Sequence, residues 1–219
     1  MKNILITGSN GMIGKLVLEY CLQRDDVNKI TSITRKPLGI QHPKLLEVMH
    51  NDFLDYANIE NHFSNQDICF FCIGVYTGQV PKQEFNKVTI GFTKAFAECL
   101  KHNSPGAGFC FLSGQGADSS EKSRVMFAKA KGIAENILIS LKFPHLAIFR
   151  PGYIYPVTPR KEPNLNYKIF RVLWKPVLSK LFPGNGLTSE ELAKAMVSIG
   201  FSGGDKIIYE NNEIKQVAK

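Results

Sequence analysis

Eight residues near the start of the chain, Thr7-Gly8-Ser9-Asn10-Gly11-Met12-Ile13-Gly14, have the types and spacing of a phosphate cradle. Glycines placed this way permit a tight turn, close approach of a pyrophosphate and close packing of a helix on a strand. The apolar run KNILIT precedes them and a helical pattern opens at Met12, which is the context such a loop requires. The helix N-terminus then offers N–H groups and the positive end of its dipole to phosphate oxygens. The bland alternative is a tight turn with no ligand, and the strand and helix around it favour a dinucleotide loop formed by residues 8–14. A second group stands at the end of the next apolar run, where Thr34-Arg35-Lys36 contains no acid. A site for NAD places a carboxylate there to bond the adenosine ribose hydroxyls. A guanidinium instead clamps a 2′-phosphate bidentately, and a nearby lysine adds charge. Arg35 and Lys36 therefore point to NADP, against the plainer reading of a solvated strand end.

These residues need a sheet to hold them. KNILIT (2–7), KITSIT (29–34), LLEVMH (45–50), ICFFCI (68–73), GFCFLS (108–113) and HLAIFR (145–150) are β-rich runs without polar alternation, as in strands covered on both faces. Helical patterns separate them at Met12–Arg24, Lys82–His102 and Arg124–Lys142. Alternation of this kind calls for parallel pairing through right-handed crossovers, and so for a doubly wound α/β (Rossmann) fold. The whole chain, 1–219, reads as one such domain. After Pro151 prolines crowd the sequence, and 151–219 reads as a region that includes a small cap over the strand carboxyl ends, where open α/β sheets bind ligands. Ser189–Gly200 is expected as a helix with Ser189 as its N-cap, and the tail as two short strands around Asn211-Asn212.

TGSNGMIG, the Thr34-Arg35 pair, Asn51-Asp52-Phe53, CIGVYTG (72–78), LSGQGAD (112–118) and RPGYIYP (150–156) follow one another in an order that resembles the short-chain dehydrogenase/reductases. The likeness is to the atypical and extended branch, with its NmrA-like, Tat-interacting-protein-like and sugar-nucleotide epimerase members, and covers roughly residues 1–200. The resemblance implies that Asp52 and Phe53 flank the adenine, that Ile73, Gly74 and Val75 pass along the middle of the cofactor, and that Pro151, Gly152, Tyr153 and Ile154 meet the nicotinamide end. It also implies a Ser or Thr after the fifth strand and a Tyr-xxx-Lys on the next helix. There the ammonium holds the ribose and favours phenolate, and the phenol exchanges a proton with the substrate. Aligned on Lys131-Gly132, this sequence has Phe127 at the tyrosine, and Ser113-Gly114 where two hydroxyls are usual. Lys131 matches; Phe127 and Gly114 do not. Ser113, Tyr76 and Tyr153 are the hydroxyls left to donate a proton.

Composition narrows the classes. The chain has 219 residues, 44% of them apolar and 21% charged, which excludes a disordered tail or a coiled coil. Five cysteines without framework spacing suit a reducing, cytoplasmic setting, and Cys69 and Cys72, three apart on one strand, point to opposite faces and cannot share a metal. No metal site is expected. The net charge of +8 gathers at 160–180, with Arg160, Lys161, Lys168, Arg171, Lys175 and Lys180 against Glu162, and no base-reading or stacking residues stand beside it, so nucleic acid is not an expected partner. Residues 167–181 interleave Lys and Arg with apolar residues, which favours a cap helix on the core over an interfacial membrane helix. A homodimer packed through helices 82–102 and 124–142 is implied by the resemblance. Two functions follow: an NADP-dependent oxidoreductase or epimerase-like enzyme on a small carbonyl or sugar-nucleotide substrate with a non-standard proton donor, or a non-catalytic NADP-binding regulator or interaction protein.

Overall fold

The computed structural model of the chain describes residues 1–158 and 186–219. The charge cluster at 160–180 and the amphipathic stretch 167–181 lie outside the described residues. Within them, β1 (Lys2–Thr7), β2 (Val27–Thr34), β3 (Leu45–Met49), β4 (Ile68–Phe71), β5 (Gly108–Leu112) and β6 (Leu146–Arg150) match the six apolar runs to within two residues at each end. They join β9 (Ile208–Glu210) in a seven-stranded sheet of order β3-β2-β1-β4-β5-β6-β9. Every pairing is parallel. The order reverses at β1, between β2 and β4, and a crevice opens beyond the strand carboxyl ends at such a reversal.

The strands lack polar alternation because both faces are covered. Ile4, Ile6, Phe70 and Phe149 pack on one side with Val17 and Leu18 of helix α1 (Met12–Leu22) and Leu192 and Met196 of helix α5 (Ser189–Ser202). Leu5, Phe71, Phe109 and Phe111 pack on the other with Phe96 of α3 (Phe92–Asn103) and Ala134 and Leu138 of α4 (Met126–Ser140). Cys69 and Cys72 belong to opposite clusters, as the strand period requires.

Three expectations are corrected. The helix read at 82–102 is continuous but not uniform: α2 (Lys82–Asn86) runs through a π-turn at Lys87–Gly91 into α3. The extra residue rephases the helix, so that Phe85 faces Phe127 while Val88 and Phe92 face the crevice. Thr188, not Ser189, caps α5. Its hydroxyl accepts from Glu191 N at 3.1 Å and the Glu191 carboxylate accepts from Thr188 N at 2.6 Å, because the Ser189 hydroxyl is turned to Val157 N, 3.2 Å away. The tail is a strand followed by a helix: β9 pairs parallel with β6, which no hairpin partner could do, and α6 (Asn211–Val217) starts at once. Of the region after Pro151, α5 lies along α1, and β9 and α6 build into the sheet layers. A two-stranded parallel piece, β7 (Tyr153–Tyr155) with β8 (Gly186–Thr188), stands apart from the main sheet.

Candidate functional site

The turn from β1 into α1 is held by backbone packing that admits only glycine. Gly8 has φ +82°, and a Cβ there would lie 2.6 Å from the carbonyl carbon of Cys72 at the end of β4. A Cβ on Gly14 would lie 2.2 Å from Gly8 O, so the first turn of α1 rests directly on the loop. Gly11 is the N-cap and brings no side-chain bond to the helix end. The two polar side chains of the loop are spent on its position. Ser9, almost fully buried, hydrogen-bonds Ser32 at 2.8 Å, and Asn10 Nδ2 donates to Thr34 Oγ1 (3.0 Å) and Lys36 O (2.9 Å). The loop is thereby tied to the end of β2.

Two adjoining cavities flank Gly11, Cys72, Ile73, Gly74 and Val75, which line both. The first, about 500 Å³, extends from Arg35 and Lys36 at the end of β2 to Val80, Glu84, Val88 and Phe92. Phe53 forms part of its wall, 5.5 Å from Phe92 between centroids, with the Arg35 guanidinium carbon 6.0 Å from its own ring centre. The side chains of Arg35 and Lys36 make no ion pair or hydrogen bond among the described residues. Asp52 lines neither cavity; its Oδ1 accepts from Leu54 N at 3.0 Å and closes its own turn.

The second cavity, about 340 Å³, lies between Met12 and Ile13 on one side and Pro151, Gly152 and Ile154 on the other. Phe127 and Lys131 of α4 reach it from one helix face, as their i,i+4 spacing requires. The Lys131 ammonium donates to Leu112 O at 2.9 Å and stands 4.9 Å from the Phe111 ring centre, with no carboxylate in ion-pair range among the described residues. Burial pulls its pKa down to about 8, and the Glu135 carboxylate one turn on pulls the other way. Glu135 is fully buried, accepts from Ser113 Oγ at 2.5 Å and from Arg150 Nε at 3.0 Å, and is paired with Arg150 Nη2 as well. Phe127 points its ring tip at Gly114, where a Cβ would lie 2.6 Å from Cζ.

Comparison with known proteins places this architecture. The chain is 25% identical over 227 residues to Protein HTATIP2 of Rattus norvegicus, across 100% of this chain and 90% of that one. It is 26% identical over 201 residues to "Protein FMP52, mitochondrial" of Debaryomyces hansenii, across 89% and 85%. Among solved structures it superposes on the Bordetella bronchiseptica enzyme WbmH, described in complex with NAD+, with a TM-score of 0.71 at 19% identity, covering 96% of this chain and 75% of that one. No family model matches the chain. The chain shares the parallel α/β fold of the WbmH structure.

The expected dehydrogenase/reductase site residues separate by position. Gly8, Asn10, Gly11, Met12, Ile13, Arg35, Lys36, Phe53, Ile73, Gly74, Val75, Ser113, Lys131, Pro151, Gly152 and Ile154 line one or both cavities. Ser9, Gly14, Asp52 and Tyr153 line neither. Side chains alternate along β7, so Ile154 at the cleft leaves Tyr153 on the other side. Of the hydroxyls named as proton donors, Tyr76 lines the second cavity and Ser113 does so with its proton committed to Glu135. Sequence reasoning missed Glu84, Glu135 and Arg150. Glu135 carried one signal, its place one turn beyond Lys131, whereas Glu84 and Arg150 carried none, since surface helices and strand ends are rich in such residues. Among the described residues no helix is long and apolar enough to cross a membrane.

Proposed function

We propose that this chain is an NADP-binding oxidoreductase or epimerase-like enzyme, acting on a small carbonyl or sugar-nucleotide substrate without the superfamily's usual proton donor. The observation that carries the reading is the pair of joined cavities along the glycine loop, with two cations unpaired among the described residues at the far end and a buried lysine at the near end. These residues fit a dinucleotide phosphate. The loop and the α1 terminus take its pyrophosphate, Arg35 and Lys36 its 2′-phosphate, and Lys131 its second ribose. Bound there, the cofactor supplies a hydride donor or acceptor. The protein's share is positioning: the Ile73–Val75 edge and Pro151–Ile154 close on the cofactor from two sides, and the apolar wall of Phe127 and Ile154 excludes water.

Proton transfer is the part that departs. With Phe127 at the tyrosine position and Gly114 at the second hydroxyl, Tyr76 is the donor this reading assigns. Losing a general acid costs about 10²–10⁴-fold, which slows turnover without abolishing it. The non-catalytic reading, an NADP-binding regulator, is favoured by one observation, the Phe127 ring tip set against Gly114, which fills the place of both missing hydroxyls with hydrocarbon. A cytoplasmic setting belongs to the same proposal and is supported by five cysteines that are all unpaired.

Calorimetric titration with NADPH and NADH tests the cofactor assignment. NADPH should bind at least tenfold more tightly, and Arg35→Ala should erase that margin while sparing NADH. Equal affinities in the wild type would remove the 2′-phosphate role. Wild-type NADPH oxidation with aldehydes or ketones, reduced in Tyr76→Phe, would select the enzyme; no turnover with tight NADPH binding would select the regulator.

A further inference from the structure

The first cavity carries a carboxylate that the cofactor reading leaves without a task. Glu84 stands in α2 on the wall formed with Val80, Val88 and Phe92, and no other acid among the described residues lines this cavity. Its side chain is exposed and makes no hydrogen bond or ion pair among the described residues. Arg35 and Lys36 stand at the end of β2, on the other side of β1 from the β4 connection that leads into α2. The cavity thus carries charge of opposite sign on its β2 side and on its α2 side, with Phe53, Phe92 and Val88 lining it as well. A phosphate belongs at the cationic side. Beside the carboxylate belongs a hydrogen-bond donor, because an ionised carboxyl group only accepts. Flat apolar walls suit a planar heteroaromatic ring.

We propose that Glu84 reads the base: its carboxylate accepts a hydrogen bond from the exocyclic amino group of the adenine, so that the cavity selects an aminopurine dinucleotide. The proposal rests on the NADP reading and deepens it. Asp52, the acid that the resemblance places beside the adenine, closes its own turn by accepting from Leu54 N and is not among the residues that line the cavity. Replacing the amino group by a carbonyl oxygen, as in hypoxanthine, turns the donor into an acceptor facing a carboxylate. That exchange loses a charge-assisted hydrogen bond and adds repulsion.

The test is a titration of wild type, Glu84→Ala and Glu84→Gln with NADPH and with reduced nicotinamide hypoxanthine dinucleotide phosphate. Wild type should bind the hypoxanthine compound about 10- to 100-fold more weakly than NADPH. Glu84→Ala should bind both alike, more weakly than wild type binds NADPH, and keep its preference for NADPH over NADH. Glu84→Gln should gain affinity for the hypoxanthine compound, because its amide can donate to the carbonyl oxygen, a change that loss of structure could not produce. Equal binding of the two bases by wild type, or discrimination that survives in Glu84→Ala, would overturn the role of Glu84 and leave the NADP reading standing. Failure of wild type to bind either compound would overturn both.

Discussion

Lys131 shows what one buried charge does to a site. It is 8% exposed, its ammonium has one carbonyl acceptor, and burial holds its pKa near 8 against the ordinary 10.5. A lysine whose folded pKa is depressed binds fewer protons folded than unfolded between those two values, so stability gains from it as pH rises through that window and carries the full cost below it. Buried thiols such as Cys72, pushed up to about 12, act in the opposite sense above pH 9, so the total curve hides the lysine. The difference between wild type and Lys131→Met isolates it. Urea unfolding should show that difference moving in favour of the wild type by on the order of 2–3 kcal/mol between pH 7.5 and 10.5. A flat difference would mean that the ammonium is solvated. The match to Lys131 was legible in the spacing, since residues four apart share a helix face. The role proposed for Glu84 was not, because a glutamate facing a cavity and one facing solvent look alike until the opposite wall is known.

At the level of elements, the surprise lies in what shapes α4. The loop after β5 crosses this helix at Gly132, where a Cβ would come within 1.8 Å of Asp118 O, and Asp118 N donates to Ala128 O at 2.9 Å. The glycine beside Lys131 therefore serves the loop, which must pass this close to bring Ser113 and Gly114 to the cleft. Gly132→Ala should cost about 1–3 kcal/mol in chemical denaturation through overpacking against backbone, and should weaken cofactor binding by displacing the loop. A loss below 0.5 kcal/mol, within the ordinary range of surface substitutions, would show that the crossing gives way. The strands were legible because burial on both faces removes polar alternation, and the main helices because one face is apolar. The π-turn, the choice of Thr188 over Ser189 as cap and the helix at 211–217 were not. Each was decided by which neighbouring backbone group was left for a side chain to satisfy, and such neighbours lie far away in sequence.

Across the whole molecule, Arg150 joins parts that the chain order separates. From the end of β6 it binds Glu135 of α4, Ser119 of the crossing loop at 2.9 Å and Glu210 of β9 at 3.0 Å. Removing one member of a buried pair strands the other, so Arg150→Ala should cost about 3–5 kcal/mol, read as a fall in the urea midpoint. A cost below 1 kcal/mol would reduce the pair to a surface contact. The order of strands and helices, the glycine loop and the absence of an acid after β2 all follow from the sequence by itself, because each rests on neighbours within a few residues, where backbone sterics and periodicity rule. Only the tertiary structure decided that Ser9 and Asn10 hold the loop, that Asp52 closes its own turn, that Glu84 lines the first cavity, and that Phe127 closes on Gly114. Those outcomes depend on which distant surfaces meet at the reversal of strand order, and local propensity carries no information about that meeting.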